Sequence, residues 1–181
     1  LLHEIGQTLS STLQLDDLYK LTIKNSAEIT SSSIALLWIL EPDKKNLILK
    51  ATLGLKNAQV QENIKKGEGL IGKTAEDNSP KILGENKLLT EKFDFINIPL
   101  KSLLCIPLCC RSRAIGVLCL INRFEKSTGI YKNFYQSDLQ LIATMANHAA
   151  IAIENANIHN KLTLNNQQLL EMQEKLLQAE R

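Results

Sequence analysis

The sequence has no apolar run that reaches the roughly 18 residues needed to cross a bilayer, and it shows no signal peptide. Its formal net charge is only +2, and the basic residues form no stripe. We therefore expect neither nucleic acid nor membrane contact within this chain, and predict a cytoplasmic protein. The 181 residues, of which 44% are hydrophobic, allow one ordinary domain and an appendage.

The sequence also lacks a C-x-x-C motif, and no histidine lies near its four cysteines. Cys105, Cys109, Cys110 and Cys119 all fall in apolar segments, which predicts free buried thiols in a reducing compartment. This spacing does not suit zinc, so no metal site is predicted. Cys109 and Cys110 would point to opposite faces of a strand and would not pair with each other. A redox pair among the cysteines stays open as the weaker alternative.

Catalytic constellations are missing as well. We find no set of Ser, His and Asp, no paired carboxylates and no metal motif, so no catalytic residue is predicted. The chain begins at Leu1 and ends at Arg181 inside a helical pattern, which we interpret as part of a longer protein.

Short apolar segments separated by turns predict two antiparallel hairpins. The first joins strands 33–42 and 47–55, and the second joins strands 102–111 and 114–123 through a turn at 112–113. Before them, Leu2, Ile5, Leu9 and Leu13 have helical spacing, and Asp16 or Asp17 would cap a second helix. Sequential hairpins with helices at both termini predict an α+β fold, with both helices on one face of an antiparallel sheet.

From Ser137 to Arg181 the pattern is helical and contains neither Gly nor Pro. Ser137 and Gln140 fit a capping box. Heptad spacing predicts a coiled coil with two polar positions, which fix register at some cost in stability; a single solvated helix is the alternative. The predicted dimer seam consists of Ile151, Asn155, Ile158, Leu162, Asn165, Leu169, Met172, Leu176 and Ala179. We divide the chain into an N-terminal dimerisation helix (1–14), a domain (15–157) and a signalling helix (158–181).

The stretch "GEGLIGKT" (67–74) fits both the dinucleotide pattern G-x-G-x-x-G and the phosphate-loop pattern G-x-x-x-x-G-K-[ST]. Both patterns require a buried strand immediately before the glycines, and "VQENIKK" is polar and basic. We therefore predict that the glycines shape the backbone and do not bind a nucleotide. Gly67 and Gly69 allow a turn, "LIGKTAED" forms a short helix, and Gly72 allows a neighbouring backbone to approach closely.

Three segments in order carry a family resemblance. "GEGLIGKTAEDNSP" resembles the G-x-G-[LI]-x-G-x-[AV]-x-x-x-x-x-P signature of GAF domains. "SLLCIPLCCRSRAIGVLCLIN" is similar to their central hairpin, and "LIATMANHAAIAIENA" is similar to their closing helix. Over residues 10–160, the resemblance implies a GAF/PAS-like sheet of five or six strands. It also implies a ligand cavity on the face opposite the helices, beneath mobile middle segments.

The resemblance and the residue types together give a set of expected ligand-binding positions. They are Trp38, Ile71, Thr74, Phe93, Phe95, Ile96, Cys105 and Asn122. The ligand itself is not predicted. Bilin-binding relatives have a Cys-His pair that is absent here, and the histidines at positions 3, 148 and 159 fall on the terminal helices rather than in a cavity.

GAF domains that bind cyclic nucleotides are similar to N-K-x(n)-F-x(3)-D-E. Asn122, Arg123, Phe134 and Asp138 fit that pattern in part, whereas Leu139 replaces the final Glu. In that family the basic residue and the Asp form a salt bridge. We expect the bridge between Arg123 and Asp138 to be structural, with a cyclic nucleotide ligand as the alternative.

The resemblance implies a sensory and regulatory module of a bacterial sensor histidine kinase or a similar signalling protein. It would form a homodimer through its terminal helices and pass a signal through the C-terminal helix to an output domain. "MQEKLLQAER" (172–181) resembles the segment before the phosphoacceptor helix of such kinases. The alternatives are a small redox enzyme that uses cysteines and a dimerisation spacer without a ligand.

Overall fold

The computed structural model describes residues 2–88 and 93–180, with side chains from residue 14 onward. This part of the chain contains four helices and seven strands. They are α1 (Leu2–Thr30), β1 (Ser32–Leu40), β2 (Asn46–Leu53), β3 (Asn63–Lys65), α2 (Gly69–Asp77), β4 (Lys81–Gly84), α3 (Glu85–Leu88), β5 (Ser102–Cys110), β6 (Arg113–Glu125), β7 (Ile130–Lys132) and α4 (Gln136–Ala179).

The strands form one antiparallel sheet in the order β3-β2-β1-β6-β5-β4, and β7 pairs with the end of β6. Both predicted hairpins are present, as β1 with β2 and β5 with β6. The α+β fold class is confirmed. The sheet has seven strands rather than five or six, because the three-residue strands β3 and β7 add to it.

Alternating side chains of the central strands form two apolar cores, one on each face of the sheet. In β1, Ala35, Leu37 and Ile39 pack with residues of α1 and α4. Leu36 and Trp38 of the same strand pack on the other face with residues of α2 and the segment after α3. Both terminal helices therefore cover one face, as the sequence predicts, and the glycine-rich segment covers the other.

The N-terminal region is one continuous helix, so the predicted break near Asp16 and Asp17 is wrong. Leu15 and Leu18 both pack against the core that lies beneath α1 and α4. These contacts favour a helix that continues through the predicted break. The predicted apolar face of residues 2–13 lies outside the residues whose side chains are described.

α4 begins one residue before the predicted start, and its first turn is held differently from the prediction. The residue that precedes it is Tyr135, whose backbone N–H donates to Asp138 Oδ2 at 2.7 Å. The predicted capping box of Ser137 and Gln140 is therefore wrong. Ile142, Ala146, Ala150 and Ile153 are buried, whereas no described residue after them in α4 is buried. Across the described residues, no helix combines the length and apolar content that a membrane crossing needs.

The turn between β5 and β6 consists of Arg111 and Ser112, one residue earlier than predicted. Their φ angles are 50° and 61°. Positive φ at both central residues is the geometry that a two-residue hairpin loop requires, because it matches the twist of the flanking strands.

Candidate functional site

The glycine-rich stretch connects the edge strand β3 to α2. Gly67 and Gly69 have φ angles of 87° and 59°. A Cβ on Gly72 would lie 2.3 Å from the carbonyl oxygen of Lys65, so only glycine fits this position without movement. β3 is a three-residue antiparallel strand and not the buried parallel strand of a phosphate loop. The geometry agrees with the prediction that the glycines shape the backbone.

α2 covers β5 and β6 on the face opposite the terminal helices. Ile71 and Ala75 are buried in the core on this face. Thr74 is fully buried, and its Oγ1 donates to the carbonyl oxygen of Leu70 at 2.8 Å. The hydroxyl of Thr74 therefore bonds to a backbone carbonyl of its own helix and does not face a cavity.

A cleft of about 240 Å³ lies between the first turn of α2 and residues 93–95. Its size suits a molecule smaller than the usual occupants of binding pockets, which have volumes of about 300–1,000 Å³. Its lining residues are Gln61, Ile64, Glu68, Gly69, Leu70, Ile71, Phe93, Asp94 and Phe95.

Three of the predicted ligand-binding residues, Ile71, Phe93 and Phe95, line this cleft. Its polar groups, including the carboxylates of Glu68 and Asp94, were not predicted. They come from segments that meet only in the folded chain, where Gln61 N donates to the carbonyl oxygen of Phe95 at 2.8 Å. No local pattern in the sequence signals that contact.

Aromatic rings connect the cleft to the core. Phe95 is 6.2 Å from Phe93 and 6.0 Å from Trp38, measured between ring centroids, and both pairs are edge-on. Trp38 is fully buried, and its Nε1–H donates to the carbonyl oxygen of Gln61 at 3.0 Å. Trp38 therefore lies behind the cleft and supports its wall.

The side chain of Asn122 bonds to the backbone of the segment that leads into β5. Its Oδ1 accepts hydrogen bonds from Lys101 N at 2.7 Å and Ser102 N at 3.4 Å, and its Nδ2 donates to the carbonyl oxygen of Pro99 at 3.2 Å. These bonds hold the chain that enters β5. Ile96 is buried in an isolated bridge with Val60. Neither residue is among those that line the cleft.

Cys105 is buried in the sheet opposite Cys119, with the two Sγ atoms 2.6 Å apart. All four cysteines are free; Cys105 and Cys119 are buried, and Cys109 and Cys110 are half-buried. Burial raises the pKa of Cys119 well above its usual value, and the hydrogen bond and charge of Cys105 act in the same direction. Burial also raises the pKa of Cys109.

Cysteine chemistry is therefore separated from the cleft. The described residues that line it include no cysteine. Among the described residues, no group of three His, Cys, Asp or Glu side chains is placed to hold a metal ion.

The expected ion pair is present, with Arg123 Nε 3.7 Å from Asp138 Oδ2. Arg123 also donates to the carbonyl oxygens of Thr30 at 3.3 Å and Asn133 at 3.5 Å, and its guanidinium lies 4.7 Å from the ring centroid of Tyr135. The side chain thus joins the end of α1, β6 and the start of α4. None of these residues is among those that line the cleft, so the bridge lies apart from it.

The predicted dimer seam is exposed along its whole length. Its apolar side chains follow one side of α4 at intervals of three, four or seven residues. Their exposed fractions are Ile151 50%, Ile158 43%, Leu162 56%, Leu169 58%, Met172 63% and Leu176 66%. The seam asparagines, Asn155 and Asn165, are also exposed. Nothing in the described part of the chain covers this row.

A family model described as GAF domain matches residues 14–155, most of the chain. The chain belongs to the GAF domain family. Its two cores, its antiparallel sheet and its glycine-rich turn are thus features of a GAF domain. A search of curated proteins gave no match.

Solved structures of other proteins share the fold of this GAF domain. The GAF domain of a phosphoenolpyruvate-protein phosphotransferase from Acinetobacter is 19% identical, with a TM-score of 0.65 over 87% of this chain and 92% of that chain. The GAF-B domain of DevS from Mycobacterium smegmatis is 18% identical, with a TM-score of 0.63 over 82% and 98%. Type II free methionine-R-sulfoxide reductase from Thermoplasma acidophilum is 16% identical, with a TM-score of 0.62 over 78% and 92%.

Proposed function

We propose that this GAF domain is a cytoplasmic sensory module that binds a small molecule in its cleft and acts as a homodimer. The observation that carries the proposal is α4, one unbroken helix of 44 residues. Its first half packs on the sheet, and its second half presents an apolar row to solvent. One rigid element therefore touches both the sensing domain and the surface where a second copy would bind.

The ligand proposal rests on the shape and composition of the cleft. It is concave and places the apolar side chains of Ile71, Phe93 and Phe95 beside polar groups that include the carboxylates of Glu68 and Asp94. The cleft borders α2, which packs on β5, and β5 in turn packs on α4 from the opposite face. A ligand that favours one position of α2 would thus bias the packing of α4.

The dimer proposal rests on the exposed seam. An isolated helix gains little from exposed Leu and Ile, whereas two copies of the seam would bury them against each other. The output would follow the coiled coil, and the resemblance of residues 172–181 to the lead-in of a phosphoacceptor helix favours a histidine kinase. A cyclic nucleotide remains one ligand to be tested, although the ion pair between Arg123 and Asp138 lies away from the cleft.

Native mass spectrometry of the purified chain tests both parts of the proposal. A dimer that carries additional mass would support ligand sensing and give the mass of the ligand. A dimer without additional mass that also gives no response to a metabolite library would favour the ligand-free spacer. The fluorescence of Trp38, the only tryptophan, provides the second readout because its ring contacts Phe95 in the cleft wall.

A small redox enzyme is the second candidate, favoured by the shared fold with a methionine sulfoxide reductase. The described cleft has no cysteine in its wall, and the pKa values of Cys109 and Cys119 are raised, which lowers their reactivity. The decisive assay is turnover of free methionine sulfoxide by the wild type and by cysteine-to-serine variants. Turnover that depends on a cysteine would replace the sensory proposal.

A further inference from the structure

Cys105 and Cys119 lie directly opposite each other in the register of β5 and β6, with their Sγ atoms 2.6 Å apart. Directly opposed residues of antiparallel strands have Cα atoms about 4.5–5.5 Å apart. A disulfide accepts Cα separations of about 4.4–6.8 Å. A bond between these two sulfurs therefore requires no shift in register and no large movement of either strand.

We propose that Cys105 and Cys119 form an oxidative modification site, at which hydrogen peroxide converts the two thiols into a reversible disulfide across β5 and β6. The site is separate from the proposed ligand cleft and does not depend on it. Its oxidant belongs to the class of small, uncharged hydroperoxides.

The register makes this pairing specific. Cys109 lies opposite Ala114, and Cys110 lies opposite Arg113, so neither has a thiol across from it. Cys109 and Cys110 are themselves adjacent in one strand and point to opposite faces. Among the four cysteines of the chain, only Cys105 and Cys119 are placed to form a disulfide within the folded domain.

Burial selects the oxidant. Both thiols are fully buried, in the same core as Ile71 and Ala75 of α2. A bulky disulfide such as oxidised glutathione cannot reach them while α2 is in place, whereas a molecule close to the size of water requires a smaller opening. Gly67, two residues before this helix, and Gly69, its first residue, both have positive φ and supply backbone freedom for such an opening.

The reaction balances as a two-electron oxidation. One thiol loses its proton, and its sulfur attacks an oxygen of hydrogen peroxide; the O–O bond breaks, and the departing hydroxide takes a proton to become water. The product is a sulfenic acid. The second sulfur attacks that sulfur, an S–S bond forms, and a second water leaves with the remaining thiol proton. Two thiols and one peroxide thus give one disulfide and two waters.

The high pKa of the Cys119 thiol affects the rate of oxidation but not its product, the disulfide. Because the thiolate is the nucleophile, we expect the folded protein to oxidise slowly at neutral pH and faster as pH rises. The disulfide would tie two central strands beneath α2. β5 also packs against α4, so oxidation would reach the helix that leaves the domain.

The test uses the C109S/C110S variant, which retains only the buried pair. The folded variant is exposed to hydrogen peroxide, unfolded in acid, alkylated and analysed by mass spectrometry. We expect loss of two hydrogen atoms, a cross-linked peptide that contains Cys105 and Cys119, and full recovery of two alkylation sites after dithiothreitol. Wild-type protein should give the same cross-linked peptide, which keeps the test valid if the variant folds poorly.

The matched control is C105S/C109S/C110S, which should give no cross-linked peptide within the chain. The same C109S/C110S variant unfolded in urea shows the dose of peroxide that is sufficient for free thiols. The proposal is overturned if both cysteines of the folded protein remain alkylatable at tenfold that dose. It is also overturned if the folded protein yields sulfinic acid at either position in place of the disulfide.

Discussion

Gly72 lies where the backbone of α2 passes the carbonyl group of Lys65. A side chain at this position would meet backbone atoms, which cannot rotate away as a flexible side chain can. Gly69 differs, because its φ is 59° but a Cβ there would have no heavy atom within 4 Å. The two glycines of the motif thus serve close approach and turn geometry, respectively, and neither property involves a phosphate.

We predict that Gly72→Ala lowers the free energy of unfolding by about 1–3 kcal/mol, the usual cost of overpacking. Gly69→Ala should cost about 1–2 kcal/mol, since only the left-handed backbone is penalised. Lys73→Ala, at the exposed position that follows Gly72, should change stability little. Urea denaturation measures all three. A Gly72→Ala protein as stable as the wild type would contradict the close-approach role.

Asn122 is a second residue whose role is explained by contacts. We predict that Asn122→Ala destabilises the domain by about 1–3 kcal/mol, because the N–H groups of Lys101 and Ser102 lose their acceptor. Asn122→Asp keeps the acceptor and should cost less. If Asn122→Ala instead abolished ligand binding at unchanged stability, the residue would belong to the binding site.

At the scale of elements, the ends of α1, β6 and α4 meet around Arg123 and Asp138. Asp138 carries two interactions at once, since one oxygen accepts the hydrogen bond of Tyr135 N and lies 3.7 Å from Arg123 Nε. Because the Asp138 side chain is only 11% exposed, solvent screens this ion pair less than a surface pair.

We predict that Asp138→Ala lowers the free energy of unfolding by about 0.5–2 kcal/mol, the usual cost of losing a helix cap. Asp138→Asn retains an oxygen acceptor and should recover part of that loss. Thermal denaturation followed by circular dichroism compares the two. Equal stability of both variants and the wild type would show that Asp138 does not fix the start of α4.

Much of the element order follows from local patterns. The two hairpins and α4 can be predicted from the sequence because apolar residues and turn signals repeat over many positions. Contacts made in the folded chain do not override these patterns. The continuous α1 is different, because aspartates at 16 and 17 fit a cap but a helix interior also accepts them at a modest cost. β7 has three residues and exists because β6 extends to Glu125 and pairs with it, which no pattern within residues 130–132 reveals.

The cleft is less predictable than the fold. Phe93 and Phe95 were identifiable as aromatic residues in a connecting segment, and Ile71 by its place after the glycines. Glu68 and Asp94 line the same cleft although 26 positions separate them, and only tertiary contacts bring them there. Trp38 and Asn122 have the residue types of binding groups, but their polar atoms bond to backbone groups of Gln61 and Lys101.

At the scale of the whole molecule, α4 divides into a buried half and an exposed half. The exposed seam contains Asn155 and Asn165. Polar residues at such positions fix the register of a coiled coil but lower its stability. We predict that Asn155→Leu together with Asn165→Leu strengthens dimerisation at least several-fold and reduces the response of an attached output domain. Sedimentation at several concentrations measures the first effect, and unchanged dimer affinity would contradict the placement of both residues in the seam.

The dimer that we propose requires the second half of α4 to pair with a second copy through the seam. Analytical ultracentrifugation of the wild type, Leu162→Asp and Leu164→Asp tests it most directly. The two leucines are 56% and 53% exposed, but lie about 200° apart around a helix of 3.6 residues per turn. Pairing through the seam predicts a dimeric wild type, a monomeric Leu162→Asp and a dimeric Leu164→Asp. A monomeric wild type, or equal loss of dimer in both variants, would contradict it.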